Sequence, residues 1–136
     1  YYNKIFDDFS FEASVQQVEG DQNYAAGIYF RSSAALSNRY GFLIAAVGQY
    51  TIVKSVSGVL TQLVPWTNGN FYRGYNQWTR LGVTCTGSTL QFFIDQSLVK
   101  TVTDSSLTSG YVGLMAVDTD TDINIFQFED VLLEEK

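Results

Sequence analysis

The sequence predicts an all-β domain, a sandwich or barrel of about ten short antiparallel strands. Three observations predict it. Apolar residues recur at every second position through most of the chain, and short clusters of Gly, Ser, Asn and Asp interrupt that alternation. No segment of eleven or more residues carries the 3.6-residue period of an amphipathic helix. With 136 residues and neither linker nor repeat, the chain reads as one domain spanning 1–136.

The elements follow in order. In FSFEASV (9–15), Phe9, Phe11, Ala13 and Val15 point one way and Ser10, Glu12 and Ser14 the other, a half-buried strand. GIYFR (27–31) puts Ile28 and Phe30 inward and Tyr29 and Arg31 on the opposite face. YGFLIAAV (40–47) is apolar on both faces and predicts a central strand. QYTIVKSV and VLTQLV are separated by Ser57-Gly58, a hairpin signal.

Next comes PWTNGNFYRGYNQ (65–77), read as the longest irregular stretch and holding the only proline. WTRLGVTCT (78–86) alternates again, with Leu81, Val83 and Cys85 inward and Trp78, Arg80 and Thr84 outward. STLQFFID and SLVKTVT flank a turn at Asp95-Gln96, and YVGLMAV and INIFQFEDVLL close the chain. Ile123 and Ile125 share one parity and Phe126 and Phe128 the other, which predicts a β-bulge or a change of sheet. The expected core includes Phe30, Phe42, Leu81, Val83, Phe92 and Leu114.

Composition narrows the function classes. The net charge is −6 with 8 basic residues and no basic cluster, so nucleic acid is a poor partner, as are anionic membrane surfaces. No apolar run approaches 18 residues, so no helical membrane insertion is expected. Histidine is absent, which removes the commonest general base and transition-metal ligand. The single Cys85 forms no internal disulfide. The first residues lack a basic start and an apolar stretch, so no signal peptide is visible, and the chain reads as a module of a larger parent protein.

Several motifs together resemble the concanavalin A-like lectin/glucanase superfamily, nearest its laminin-G-like and 3-keto-disaccharide hydrolase-like branch. They are GIYFR at 27–31, Trp78 followed by GSTLQFFID, the run VTDSSLTSGYVGL at 102–114 and the closing FEDV at 128–131. Members usually carry Asn-Gly where this chain has Asp95-Gln96. The resemblance implies a two-sheet antiparallel jelly-roll sandwich with one concave sheet. It also implies a secreted or cell-surface setting, in bacteria, and a partner that is carbohydrate or a glycoprotein surface.

Candidate site residues follow from sugar chemistry. The C–H faces of sugars stack on aromatic rings, and amides or guanidinium groups bind the hydroxyls. Trp66, Asn70, Tyr72, Arg73 and Tyr75 supply that chemistry within the long loop. The same rings could instead pack the loop onto the sandwich edge. Tyr29 and Arg31 form a second pair, able to clamp a hydroxyl-rich or carboxylate ligand, or to pair with a neighbouring strand.

Sandwich glucanases of the superfamily carry Glu-x-Asp-x-Glu on one strand, and no such run exists here, so a non-catalytic module is expected. DTDTDIN (118–124) spaces Asp118, Asp120 and Asp122 like the start of a calcium loop, but Ile123 stands where the sharp turn needs Gly. The favoured reading is a solvated turn, with no cofactor required; jelly-roll modules leave open a structural calcium there. Two rival functions remain: a structural or protein-interaction domain, and a fragment of a glycosidase.

Overall fold

The computed structural model describes residues 4–21, 25–69, 74–116 and 125–136. Ten strands follow one another: β1 (Phe9–Glu19), β2 (Ala25–Ser32), β3 (Arg39–Ala45), β4 (Gln49–Val56), β5 (Val59–Asn68), β6 (Thr79–Thr86), β7 (Thr89–Ile94), β8 (Ser97–Thr103), β9 (Tyr111–Ala116) and β10 (Ile125–Glu135). They form two antiparallel five-stranded sheets, the first in the order β10-β1-β6-β7-β8 and the second in the order β5-β4-β3-β2-β9. The expected all-β, two-sheet jelly-roll sandwich is therefore what the chain forms, and YGFLIAAV supplies the middle strand of the second sheet.

Inward residues of both sheets meet in one core. Phe9, Phe11, Ala13 and Val15 of β1 face it, as do Leu81, Val83 and Cys85 of β6, in the alternation read from the sequence. Phe92 of β7 reaches across to the second sheet, with its ring centroid 5.1 Å from Phe42 and 6.0 Å from Phe30. Phe30 also stacks on Tyr40 at 5.3 Å. Edge-to-face and offset pairs of this kind add to the burial of large apolar surfaces. Of the six expected core residues, Phe30, Phe42, Leu81, Val83 and Phe92 are fully buried, and Leu114 packs on the core from its edge.

The hairpins obey turn chemistry. Ser57 and Gly58 both take positive φ, as do Asp95 and Gln96, the pattern that matches the twist of paired strands. Asp95 is fastened to the start of β6: its N–H donates to the Arg80 carbonyl at 2.8 Å, and its Oδ1 accepts from the Arg80 N–H at 3.0 Å. Those bonds hold a left-handed conformation without glycine.

Three expectations are corrected. Pro65 to Asn68 are strand, not loop, because β5 is an edge strand and an edge tolerates a residue without an N–H. Its register against β4 slips twice, between Tyr50 and Ile52 and between Ile52 and Val53.

The irregularity expected near Ile125 and Phe126 exists, but β1 carries the extra residue, between Gln17 and Glu19. A second slip puts an extra residue into β10 where Asp130 takes φ 52°, and thereafter Val131 and Leu133 face inward. Finally, Tyr29 and Arg31 are not displayed on the sheet. They are 6% and 2% exposed. Arg31 sits at a register slip between Tyr29 and Ser32 with φ 48°, so strict alternation fails there.

Candidate functional site

Among the described residues, the exposed aromatic side chains Trp66, Tyr75 and Trp78 lie on β5 and on the chain that leads from β5 to β6. Asn68 pairs with Gln49, and the Gly69 N–H donates to the Gly48 carbonyl at 2.9 Å, so β5 ends beside the β3–β4 turn. On the far side of the loop, the Asn76 N–H donates to the Gln17 carbonyl at 2.9 Å and the Gly74 N–H to the Ala46 carbonyl at 3.4 Å. The Tyr75 hydroxyl donates to the Gly20 carbonyl. The described flanks of the loop are thus tied to β1 and to the β3–β4 turn.

Trp66 is 39% exposed and Tyr75 45%, with Trp78 close behind. A crevice opens at this end between the sheets, with Val15 and Phe126 on one side, Ala26 and Ile44 on the other, and Gly74 and Gln77 above. Gln17 borders it. Its Nε2 donates to the Asp21 carbonyl at 2.8 Å, while its buried Oε1 has no partner among the described residues. A buried acceptor without a donor is costly and satisfied by water or a ligand hydroxyl. Of the sequence-selected loop residues, Trp66 and Tyr75 come to this end; Asn70, Tyr72 and Arg73 lie outside the described residues.

The other selected pair is built differently. The Arg31 guanidinium donates to the Asp7 carbonyl at 2.9 and 3.2 Å and to the Leu107 carbonyl at 3.2 Å, with the Asp8 carboxylate 3.5 Å away. It joins the segment before β1 to the segment before β9. The Tyr29 ring lies over Gly113 of β9, where a Cβ would fall 2.4 Å from the phenol oxygen. Both side chains are spent on the frame. Asp118, Asp120 and Asp122 lie outside the described residues.

A polar cluster that the sequence did not single out joins the two sheets. The Tyr40 hydroxyl donates to Asp104 Oδ1 at 2.5 Å, and the Ser106 N–H donates to the same oxygen at 2.9 Å. Lys54 Nζ donates to Asp104 Oδ2 at 2.8 Å and to Ser106 Oγ at 2.9 Å. Burial by itself would raise the Asp104 carboxyl, but the bonds from Lys54, Tyr40 and Ser106 outweigh it and hold it well below the usual carboxylate range. Burial, reinforced by the bond to Asp104, pushes the Tyr40 hydroxyl up. The D-x-S spacing of Asp104 and Ser106 was the only local hint, an Asx-type turn.

No protein-family model matches the chain, and no curated protein does. Solved structures do. A carbohydrate-binding module, CBM66, from Bacillus subtilis matches over 98% of this chain and 78% of its own, with TM-score 0.81 and 20% identity. The chain has the concanavalin A-like jelly-roll fold.

Two further matches share the fold. A β-glucanase from Bacillus licheniformis aligns over 98% of this chain and 69% of its own, at TM-score 0.73 and 9% identity. Sheep galectin-11, in complex with glycerol, aligns over 96% of both chains at TM-score 0.64 and 7% identity. In this concanavalin A-like sandwich, then, the resemblance seen in the motifs holds at the level of architecture.

Proposed function

We propose that this chain is a non-catalytic carbohydrate-binding module working outside the cell or at its surface, with Trp66 and Tyr75 as ring contacts. Asn70, Tyr72 and Arg73 belong to the same proposal by their place in the sequence. The observation that carries it is the pair of exposed rings, Trp66 and Tyr75, on β5 and on the chain between β5 and β6, where Gly74 and Gln77 also border the crevice between the sheets. Rings offer the sugar's C–H faces an apolar platform, and the exposed amide of Gln77 offers hydroxyls a donor and an acceptor. The match to a carbohydrate-binding module over nearly the whole chain supports the reading. The chain has neither histidine nor a Glu-x-Asp-x-Glu run, which favours binding over turnover.

The test is calorimetric titration and thermal unfolding with a panel of soluble oligosaccharides. A ligand at a hundredfold its Kd adds about 2.7 kcal/mol to stability. Trp66→Ala should weaken binding about tenfold, roughly 1.4 kcal/mol, with melting unchanged, and Tyr75→Ala should weaken it likewise with a small loss of melting temperature from the lost bond to the Gly20 carbonyl. Binding retained in full by both variants would sink this site. Release of reducing sugar by the purified chain would instead favour a glycosidase fragment.

A protein-interaction module is the second reading, favoured by Val59 and Leu60, which are 68% and 59% exposed at the β4–β5 hairpin. A silent glycan panel, with a protein partner lost on Leu60→Ser, would establish it.

A further inference from the structure

The outer face of the first sheet carries a feature unrelated to Trp66 and Tyr75. Gly82 lies in β6, in the middle of that sheet, paired with Glu12 of β1 on one side and Phe93 of β7 on the other. Glycine inside a strand weakens it, so a structural reason is expected: a left-handed φ, or a backbone pressed close. Neither applies. Gly82 has no left-handed φ, and a Cβ there would meet only side chains, Glu12 Cγ at 3.3 Å and Phe93 Cβ at 3.6 Å. What the glycine, itself buried, does is leave a slot into which the Glu12 side chain leans, its Cγ and Oε1 3.3 and 3.7 Å from where a Cβ would stand, with Phe93 on the other side.

The neighbouring cross-strand row completes the lining. Ser10 pairs with Glu134 on one side and Thr84 on the other, and the two hydroxyls share a hydrogen bond at 3.2 Å. The resulting groove measures about 240 Å³. Its carboxylate is positioned from the next cross-strand row of the same face, where Ser14 pairs with Arg80. Arg80 donates to Ser14 Oγ at 3.1 Å and to the Asp130 carbonyl at 2.6 Å, and its Nε stands 3.7 Å from Glu12 Oε1. The β10 bulge is what turns that carbonyl toward Arg80.

We infer that this slot is a second saccharide subsite, on the first sheet and distinct from the rings of Trp66 and Tyr75, and that it takes an uncharged sugar ring. The inference rests on the carbohydrate-binding reading above. Phe93 offers its face to the ring's C–H groups, and the carboxylates of Glu12 and Glu134 accept from hydroxyls. Ser10 and Thr84 both donate and accept. With Glu12 matched by Arg80, Glu134 leaves an excess negative charge at the groove, so uronic acids and sulfated sugars are repelled.

The experiment is an amide NMR titration of the intact chain with neutral cello-, xylo-, manno- and fructo-oligosaccharides and with a uronic-acid oligosaccharide. The variants are Gly82→Ala, which fills the slot, Phe93→Ala and Trp66→Ala, each checked for unchanged melting. The expected result is a saturable shift at Gly82, Thr84 and Phe93 with at least one neutral sugar. Gly82→Ala and Phe93→Ala should weaken the binding read at these amides at least tenfold, while Trp66→Ala weakens only the binding read at the amides around Trp66 and Tyr75. Shifts confined to the residues around Trp66 and Tyr75 would overturn the subsite and leave the main reading standing. Silence with every sugar would remove both. Equal shifts with the uronic-acid probe would overturn the charge argument.

Discussion

The two sheets have the same number of strands and share one core, yet their outer faces differ. On the first sheet, Ser10, Glu12, Thr84, Gln91 and Phe93 are half-exposed and mostly polar. On the second, Gly41, Leu43, Ala45, Thr51, Val53 and Ser55 are all buried. Part of the reason is that large side chains lean over small ones: the Tyr29 ring covers Gly113, and Met115 Sδ lies 4.0 Å from where a Gly41 Cβ would stand. Strands buried on both faces constitute a frame, whereas a strand with one wet face has positions free for recognition.

The largest effect should come from the core that both sheets share. Phe92→Ala removes the ring that contacts Phe30 and Phe42 and should cost about 3–5 kcal/mol in urea unfolding. A loss under about 1 kcal/mol would reverse the inward assignment of β7.

The next test bears on the comparison directly. Leu43→Ala, on the outer face of the second sheet, should cost about 3 kcal/mol, as a core leucine does. Gln91→Ala, on the outer face of the first, should stay within about 0.5 kcal/mol. Equal costs would erase the distinction between frame and free face.

A smaller effect belongs to the clamp that joins the sheets. Asp104→Asn should lower stability near neutral pH by about 2 kcal/mol, as the charge-assisted bonds from Lys54 and Tyr40 weaken. Because the folded carboxyl lies below its unfolded value, its contribution is whole above the ordinary carboxylate pKa near 4 and is lost as pH falls below it. Acid titration of stability should therefore fall less steeply below about pH 4 in the variant than in the wild type. Parallel acid limbs would show that Asp104 is not the group responsible.

Much of this was written locally in the chain. The alternation of FSFEASV and WTRLGVTCT gave strand faces directly, and Ser57-Gly58 and Asp95-Gln96 marked hairpins where the strands turn. What escaped depended on distant partners. Arg31 looked outward because alternation counts residues, and a non-glycine residue at φ 48° announces nothing. Its acceptors, Asp7 and Leu107, lie 24 and 76 residues away. Trp66 was placed in a loop, since Pro65 reads as a breaker unless the strand is known to be an edge. The slot over Gly82 was invisible because a glycine's neighbours across a sheet are set by register, not by sequence.

Pro65 has a consequence beyond its own strand. The outer rim of β5 is long and carries exposed Val59, Leu60 and Trp66, the kind of border on which a second molecule could crystallise strand by strand into fibres. An incoming chain would meet a missing donor at Pro65 and a broken pleat on either side of Val64. The ladder stops there. Copies crowded onto one surface can therefore stand shoulder to shoulder without zipping together along this border.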